Sequence, residues 1–214
     1  MNANRIVACL TALVAFVACP TAQAQLFRAY VSSTGLDTNP CSLQQPCRLL
    51  PAALTAVADG GEIWMLDSAN YNASQVNVTK SVTILALPGA MGSLVATSGG
   101  SAILINTAGV KVNLRNLVIV HLTSSAQGIS FGSGSQLAVS DCEITNVQGS
   151  GIFANAAGGV VVVKNTVIRG PGSSNGLRLA VPATRSGIAA GHEVRALLPG
   201  DRRCRRLANE AKGS

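Results

Sequence analysis

Three short phrases constrain this chain more than anything else in it. VNLRNLVIV (112–120), LAVSDCEI (137–144) and VVVVKNTVIR (160–169) each set a polar break between two apolar runs. Aligned on the break, Leu114, Val139 and Val163 precede it by two residues, and Asn116, Asp141 and Asn165 form it. Ile119, Ile144 and Ile168 follow by three, and successive spacings are 25 and 24 residues. A second marker, Gly128-Ile129, Gly151-Ile152 and Gly176-Leu177, recurs at spacings of 23 and 25. Fixed periods of this size signal stacked units, none of which buries its apolar face alone.

Short β-branched runs punctuated by Gly, Asn and Ser read as strands, and no unit leaves room for a helix of ten residues. Each period is then one turn of an all-strand coil whose successive turns pair as parallel strands, about 4.8 Å apart. Equivalent side chains fall into columns along the axis. Asn and Asp tolerate a left-handed backbone, so Asn116, Asp141 and Asn165 read as a ladder of corners between strands. The repeat predicts one coil over 62–87 with Lys80 at its corner, a loop over 88–100, then coils over 101–120, 128–147 and 151–169. A last coil opens at Gly176-Leu177 and does not return to the pattern.

The segment before the coils carries other signals. MNANRIVACLTALVAFVACPTAQAQ has Arg5 in a short leading region, an apolar stretch from Ile6 to Ala18 and an A-x-A site at Ala22–Ala24. That pattern reads as a signal peptide over 1–24, with an alternative lipid attachment through Cys19. No later stretch reaches the roughly 20 apolar residues of a membrane-spanning helix. The expected product is a monomer exported to the periplasm or beyond. In an oxidising compartment Cys41 and Cys47, in NPCSLQQPC, read as a local disulfide. Leu50, Ala53, Leu54 and Val57 fall at i, i+3, i+4 and i+7, one face of a helix that Gly60-Gly61 ends. Residues 25–61 are thus a cap over the open end of the first coil, where unpaired backbone would invite another chain.

The charge is uneven. Residues 1–170 hold 8 Lys/Arg and 6 Asp/Glu, whereas 171–214 hold 8 and 3, so the net charge of +7 belongs mostly to the tail. A basic face for nucleic acid is not expected. From Val181 the apolar-x-Asn-x-x-Ile phrase disappears. Three readings compete for 181–214: a capping helix over Asp201–Ala211, a polyanion-binding tail carrying Arg202, Arg203, Arg205 and Arg206, and a shifted reading frame.

Residues 26–180 resemble the right-handed parallel β-helices of the pectin-lyase-like superfamily, and most closely its small exported bacterial members without assigned activity. The resemblance implies a polysaccharide partner, and it raises the alternative of a pectate-lyase-like or glycoside-hydrolase-like enzyme that is incomplete in this chain. Such enzymes use clustered carboxylates that project from adjacent coils. Here Arg115, Ser140 and Lys164 share one outward column and Val118, Glu143 and Val167 another, so Glu143 has only Asp141 near it. Asp141 and Glu143 are therefore weak catalytic candidates, and this face has too few oxygens for calcium. The Asn-Thr-Asp and Gly-His-Gly motifs of polygalacturonases are missing.

Other chemistry is sparse. No cofactor or metal ligand set is expected. His121 falls in a Thr/Ser loop, His192 in the tail, and GSGSQ (132–136) in a loop rather than a strand-to-helix turn. Cys142 shares an inward column with Leu117 and Thr166 and reads as a packing thiol, while Cys204 has no assignable partner. The sequons at Asn72 and Asn77 read as loop sequence. Aromatics are 3% of the chain. Trp64 and Tyr71 in the first coil are the candidate sugar platforms, with packing beneath the cap as the alternative; Phe131 and Phe153 are expected to stack inside the coil. The balance favours a non-enzymatic structural or polysaccharide-binding module.

Overall fold

The computed structural model describes residues 25–96, 100–122, 127–147, 149–170, 175–179 and 195–196. The proposed signal peptide, Cys204, His192 and the four tail arginines lie outside these residues. A first strand, β1 (Leu26–Val31), and a short helix, α1 (Leu50–Ala56), lead into β2 (Val57–Met65), β3 (Ala69–Asn70) and β4 (Val76–Val78). Then come β5 (Val82–Ala86), β6 (Gly92–Ala96) and β7 (Ser101–Asn106), followed by β8 (Lys111–Arg115), β9 (Leu117–His121) and β10 (Gln127–Ser133). β11 (Gln136–Ser140), β12 (Glu143–Thr145) and β13 (Ser150–Ala154) repeat the scheme, as do β14 (Val160–Lys164), β15 (Val167–Ile168) and β16 (Asn175–Leu179). A two-residue β17 (Arg195–Ala196) pairs in parallel with β15.

Strands three places apart in the chain pair in parallel, as the repeat predicts. They form sheet A (β1-β2-β5-β8-β11-β14), sheet B (β3-β6-β9-β12-β15-β17) and sheet C (β4-β7-β10-β13-β16). The chain visits A, B and C in turn, which is a parallel β-solenoid. Leu114, Val139 and Val163 are stacked partners in sheet A, and Ile119, Ile144 and Ile168 in sheet B. Among the described residues no helix is long and apolar enough to cross a membrane.

Two local features hold the coils in step. Asn116, Asp141 and Asn165 turn the chain from sheet A to sheet B with φ of 53°, 56° and 44°, in the left-handed region where Asn and Asp carry the least steric penalty. Their groups also link coils: Asn116 Nδ2 donates to the carbonyls of Ala86 and Leu87 at 3.1 and 3.2 Å, and Asn165 Nδ2 to Asp141 Oδ1 at 3.2 Å. The Gly128–Gly151–Gly176 column exists because the coils touch there. A Cβ on Gly128 would lie 2.6 Å from the Gly151 carbonyl oxygen, and one on Gly151 would lie 2.7 Å from that of Gly176.

The front end is sealed by side chains drawn from far along the chain. Cys41 and Cys47 are joined by a disulfide. Their loop occupies the free edge of β1: Tyr30 N donates to Cys41 O at 2.8 Å, Cys47 N to Tyr30 O at 3.0 Å, and Ser32 N to Cys47 O at 2.9 Å. Asp37 Oδ1 accepts from the Arg48 and Leu49 amides at 2.9 and 2.7 Å, satisfying donors at the start of α1. The back end differs. Among the described residues no strand lies beyond β14 in sheet A. Val161 and Val163 are accordingly only half-buried, although Leu137 and Val139 beneath them are 0% and 1% exposed.

The structure corrects several local expectations. Residues 92–96, expected in a loop, form β6 and pair with β9. Gly92 is required there, since a Cβ would sit 2.3 Å from Met65 Sδ. Lys80 is not a corner; it precedes β5 and its Nζ donates to the Val57 carbonyl at 2.8 Å, while the chain turns at Leu87–Met91. The helix ends at Ala56, because Val57 is extended (ψ 144°) and pairs with Leu26 in sheet A. Phe131 is inside, but Phe153 points outward, paired with Ser130 and lying under Arg178. His121 is fully buried at the inner end of β9 rather than in a loop.

Two outcomes follow. Ile144→Ala, which empties the middle of an inner column, is expected to cost about 2–5 kcal/mol in chemical denaturation. Replacing both Cys41 and Cys47 by Ala is expected to cost about 2 kcal/mol, and size-exclusion chromatography should show oligomers as the β1 edge is freed. A monomer as stable as the parent chain would contradict the edge-sealing role.

Candidate functional site

The outer face of sheet A is built from alternation. In β1, Ala29 and Val31 point inward, leaving Arg28 and Tyr30 outside; in β2, Ile63 and Met65 point inward, leaving Glu62 and Trp64 outside. Register then sets Arg28 beside Glu62 and Tyr30 beside Trp64. The Arg28 guanidinium lies 3.9 Å from the Trp64 ring centroid, while its Nε and Nη2 each approach Glu62 Oε2 to 2.8 Å. Trp64 Nε1 donates to the same carboxylate oxygen at 3.0 Å. Tyr30 meets the indole edge-on, with centroids 6.2 Å apart. The indole is half-exposed, and its polar edge, one face and one side are all held. A fixed, half-exposed aromatic surface beside a carboxylate and a guanidinium suits a ligand with both apolar and hydroxyl faces.

Tyr71, the other aromatic candidate, is fully buried and is not a platform. Its hydroxyl donates to the Asp67 carboxylate and, at 2.9 Å, to the Asp67 carbonyl. Asp67 also accepts from Ser32 Oγ (2.9 Å), Ser33 N (2.9 Å) and Ser33 Oγ (2.8 Å), which ties the end of β1 to the turn after β2. Burial by itself would raise the Asp67 carboxyl, but these donors, led by Tyr71, outweigh it and hold the group at about 2. Burial first, and then the bond to Asp67, push the Tyr71 phenol up.

The remaining candidates are dispersed. Glu143 forms an ion pair with Arg169 and stands between Val118 and Val167 in its row. Asp141 is exposed at its corner and bonded by Asn165. These two carboxylates are thus committed to different partners on the surface. Cys142 is a buried free thiol that burial pushes up to about 11, the state of a packing residue rather than a nucleophile. The Asn72 side chain mimics a strand: Val95 N donates to its Oδ1 and its Nδ2 to Val95 O, both at 2.8 Å. Among the described residues no three His, Cys, Asp or Glu side chains converge as metal ligands. Sequence reasoning singled out Trp64 but missed Arg28, Glu62 and Tyr30, whose only signal was period-two alternation in two strands of unknown register.

A family profile described as a right handed beta helix region matches residues 62–188, more than half of the chain. The chain belongs to the right-handed β-helix family, and the parallel solenoid is the fold of that class. No curated protein and no solved structure matches it.

The Asp67 cluster gives a pH prediction. A carboxyl held at about 2 in the fold and near 3.9 when unfolded stabilises the protein fully above the unfolded value. That contribution is lost as pH falls toward 2. Asp67→Asn is therefore expected to lower stability at neutral pH by about 1–3 kcal/mol and to flatten the loss between about pH 4 and 2, as read by thermal melts. An unchanged acid limb would refute the assignment.

Proposed function

We propose that this chain is an exported, monomeric, non-enzymatic module that binds polysaccharide on the outer face of sheet A. The observation that carries the reading is the Trp64 indole, half-exposed on a flat sheet face and fixed by Arg28, Glu62 and Tyr30. Aromatic platforms of this kind accept the apolar face of a sugar ring, and the neighbouring carboxylate and guanidinium bond its hydroxyls. The sealed β1 edge supports a monomer, because the edge that would recruit another chain is already paired. The binding reading is favoured over a polysaccharide-cleaving one because Asp141 and Glu143 are each tied to a different structural partner.

Affinity electrophoresis through gels containing individual polysaccharides tests this directly. At least one glycan should retard the protein, and Trp64→Ala should weaken that retardation about 5- to 10-fold while the melting temperature holds. Retardation indifferent to Trp64→Ala, or release of reducing or unsaturated ends from the glycan, would overturn the proposal.

A further inference from the structure

We infer that the ligand of the Trp64 face is a linear anionic glycan that lies along the solenoid axis, with acid groups met by Arg115 and Lys164. This rests on the polysaccharide-binding reading above and adds charge, direction and two residues to it. In-register pairing places Tyr30, Trp64, Leu85, Arg115, Ser140 and Lys164 in one outward row, one residue per strand of sheet A. Strands stand about 4.8 Å apart, so Trp64 to Arg115 and Arg115 to Lys164 are each about 10 Å.

The row has a chemical gradient. Two aromatics stand at the front, an aliphatic side chain follows, and two exposed cations flank a hydroxyl behind. Arg115 and Lys164 form no ion pair among the described residues, so their charges are open to a ligand. The row contains no carboxylate. In the parallel outward row, Arg28, Glu62, Thr83, Asn113, Ala138 and Val162, the one carboxylate is already bound by Arg28 and Trp64. Thr83 and Asn113 add hydroxyl and amide groups between the indole and Arg115, bonded to each other at 3.3 Å. At the rims Lys111 adds another cation, and the two carboxylates are engaged: Asp59 accepts from Ser81 N and Asp141 from Asn165 Nδ2.

A chain that stacks one ring on the indole therefore meets polar groups next, and positive charge at two and four strands' distance. A sugar polymer with acid groups on alternate units fits that order. A neutral glycan would leave both cations without a partner, and a nucleic acid would find one accessible platform where it needs a succession of them.

The experiment compares alginate, a polyuronate, with its methyl ester, the same backbone without the charge, in affinity gels at about 50 mM salt, where the Debye length exceeds 10 Å. The parent protein should be retarded more by alginate than by the ester. Arg115→Gln and Lys164→Gln should each weaken retardation by alginate about fivefold and leave the ester unaffected. Trp64→Ala should weaken both, and Arg178→Gln, on the outer face of sheet C, should change neither. Equal retardation by alginate and its ester, or indifference to Arg115→Gln and Lys164→Gln while Trp64→Ala still acts, overturns the anionic reading and leaves the binding face standing. Equal loss with Arg178→Gln, or equal affinity for a single-stranded oligonucleotide, reduces the effect to net charge and also overturns it. Retardation by neither polymer removes the inference together with the face.

Discussion

Parallel, in-register pairing of successive coils is the constraint on which everything else here depends. A coil of this size cannot enclose a core, because its inward residues need neighbours above and below. Register supplies them: Leu114, Val139 and Val163 lie over one another, as do Ile119, Ile144 and Ile168. A slip of one residue would send every inward side chain to the surface. The Asn-Asp-Asn corner and the glycine column are the devices that prevent it, the first by turning the chain at a fixed place and the second by letting coils approach closely.

A stack of coils has two ends, and this chain treats them differently. The front end is closed by the disulfide loop on β1, by α1 beneath the Asp37 carboxylate, and by the Asp67 knot that joins Ser32, Ser33 and Tyr71. Few of these contacts are apolar, and they satisfy backbone donors and acceptors that a solenoid leaves open. At the back, Val160 is 41% exposed and the valines behind it are half-buried, which marks where the described core of sheet A stops. The sheet A face connects the two ends. Its aromatic group sits on the braced strands and its cations on later coils, so one row of side chains spans most of the sheet.

The sequence showed the fold wherever the repeat was regular. Three phrases with a common corner were enough to place β8, β9, β11, β12, β14 and β15 and to name their inward residues. It failed where one signal imitated another. Val57 completes a helical face by spacing, yet it is β-branched, extended and paired in sheet A. β6 was hidden because its coil turns without Asn, and because Gly92 reads as loop until Met65 is seen against it. Phe131 and Phe153 were matched by type, although one stands three residues after its glycine marker and the other two, which puts them on opposite faces. His121 continues the inward alternation of Leu117 and Ile119, a signal that its Thr/Ser neighbours obscured. The candidate site was the least legible part. Arg28 and Glu62 are 34 residues apart, and only the pairing of β1 with β2 brings them together around Trp64.

Cysteine cross-linking across coils tests the stacked register most directly. Asn113 and Ala138 are neighbours on the outer face of sheet A although 25 residues apart in the chain, whereas Asn113 and Val162 are separated by one intervening strand. Adjacent strands place Cα atoms within disulfide reach, and a two-strand gap of about 10 Å does not. Asn113→Cys combined with Ala138→Cys should oxidise to an intramolecular disulfide in the folded protein, and Asn113→Cys combined with Val162→Cys should stay reduced. No cross-link in the first pair, or equal cross-linking in both, would contradict the solenoid register and all that has been built on it.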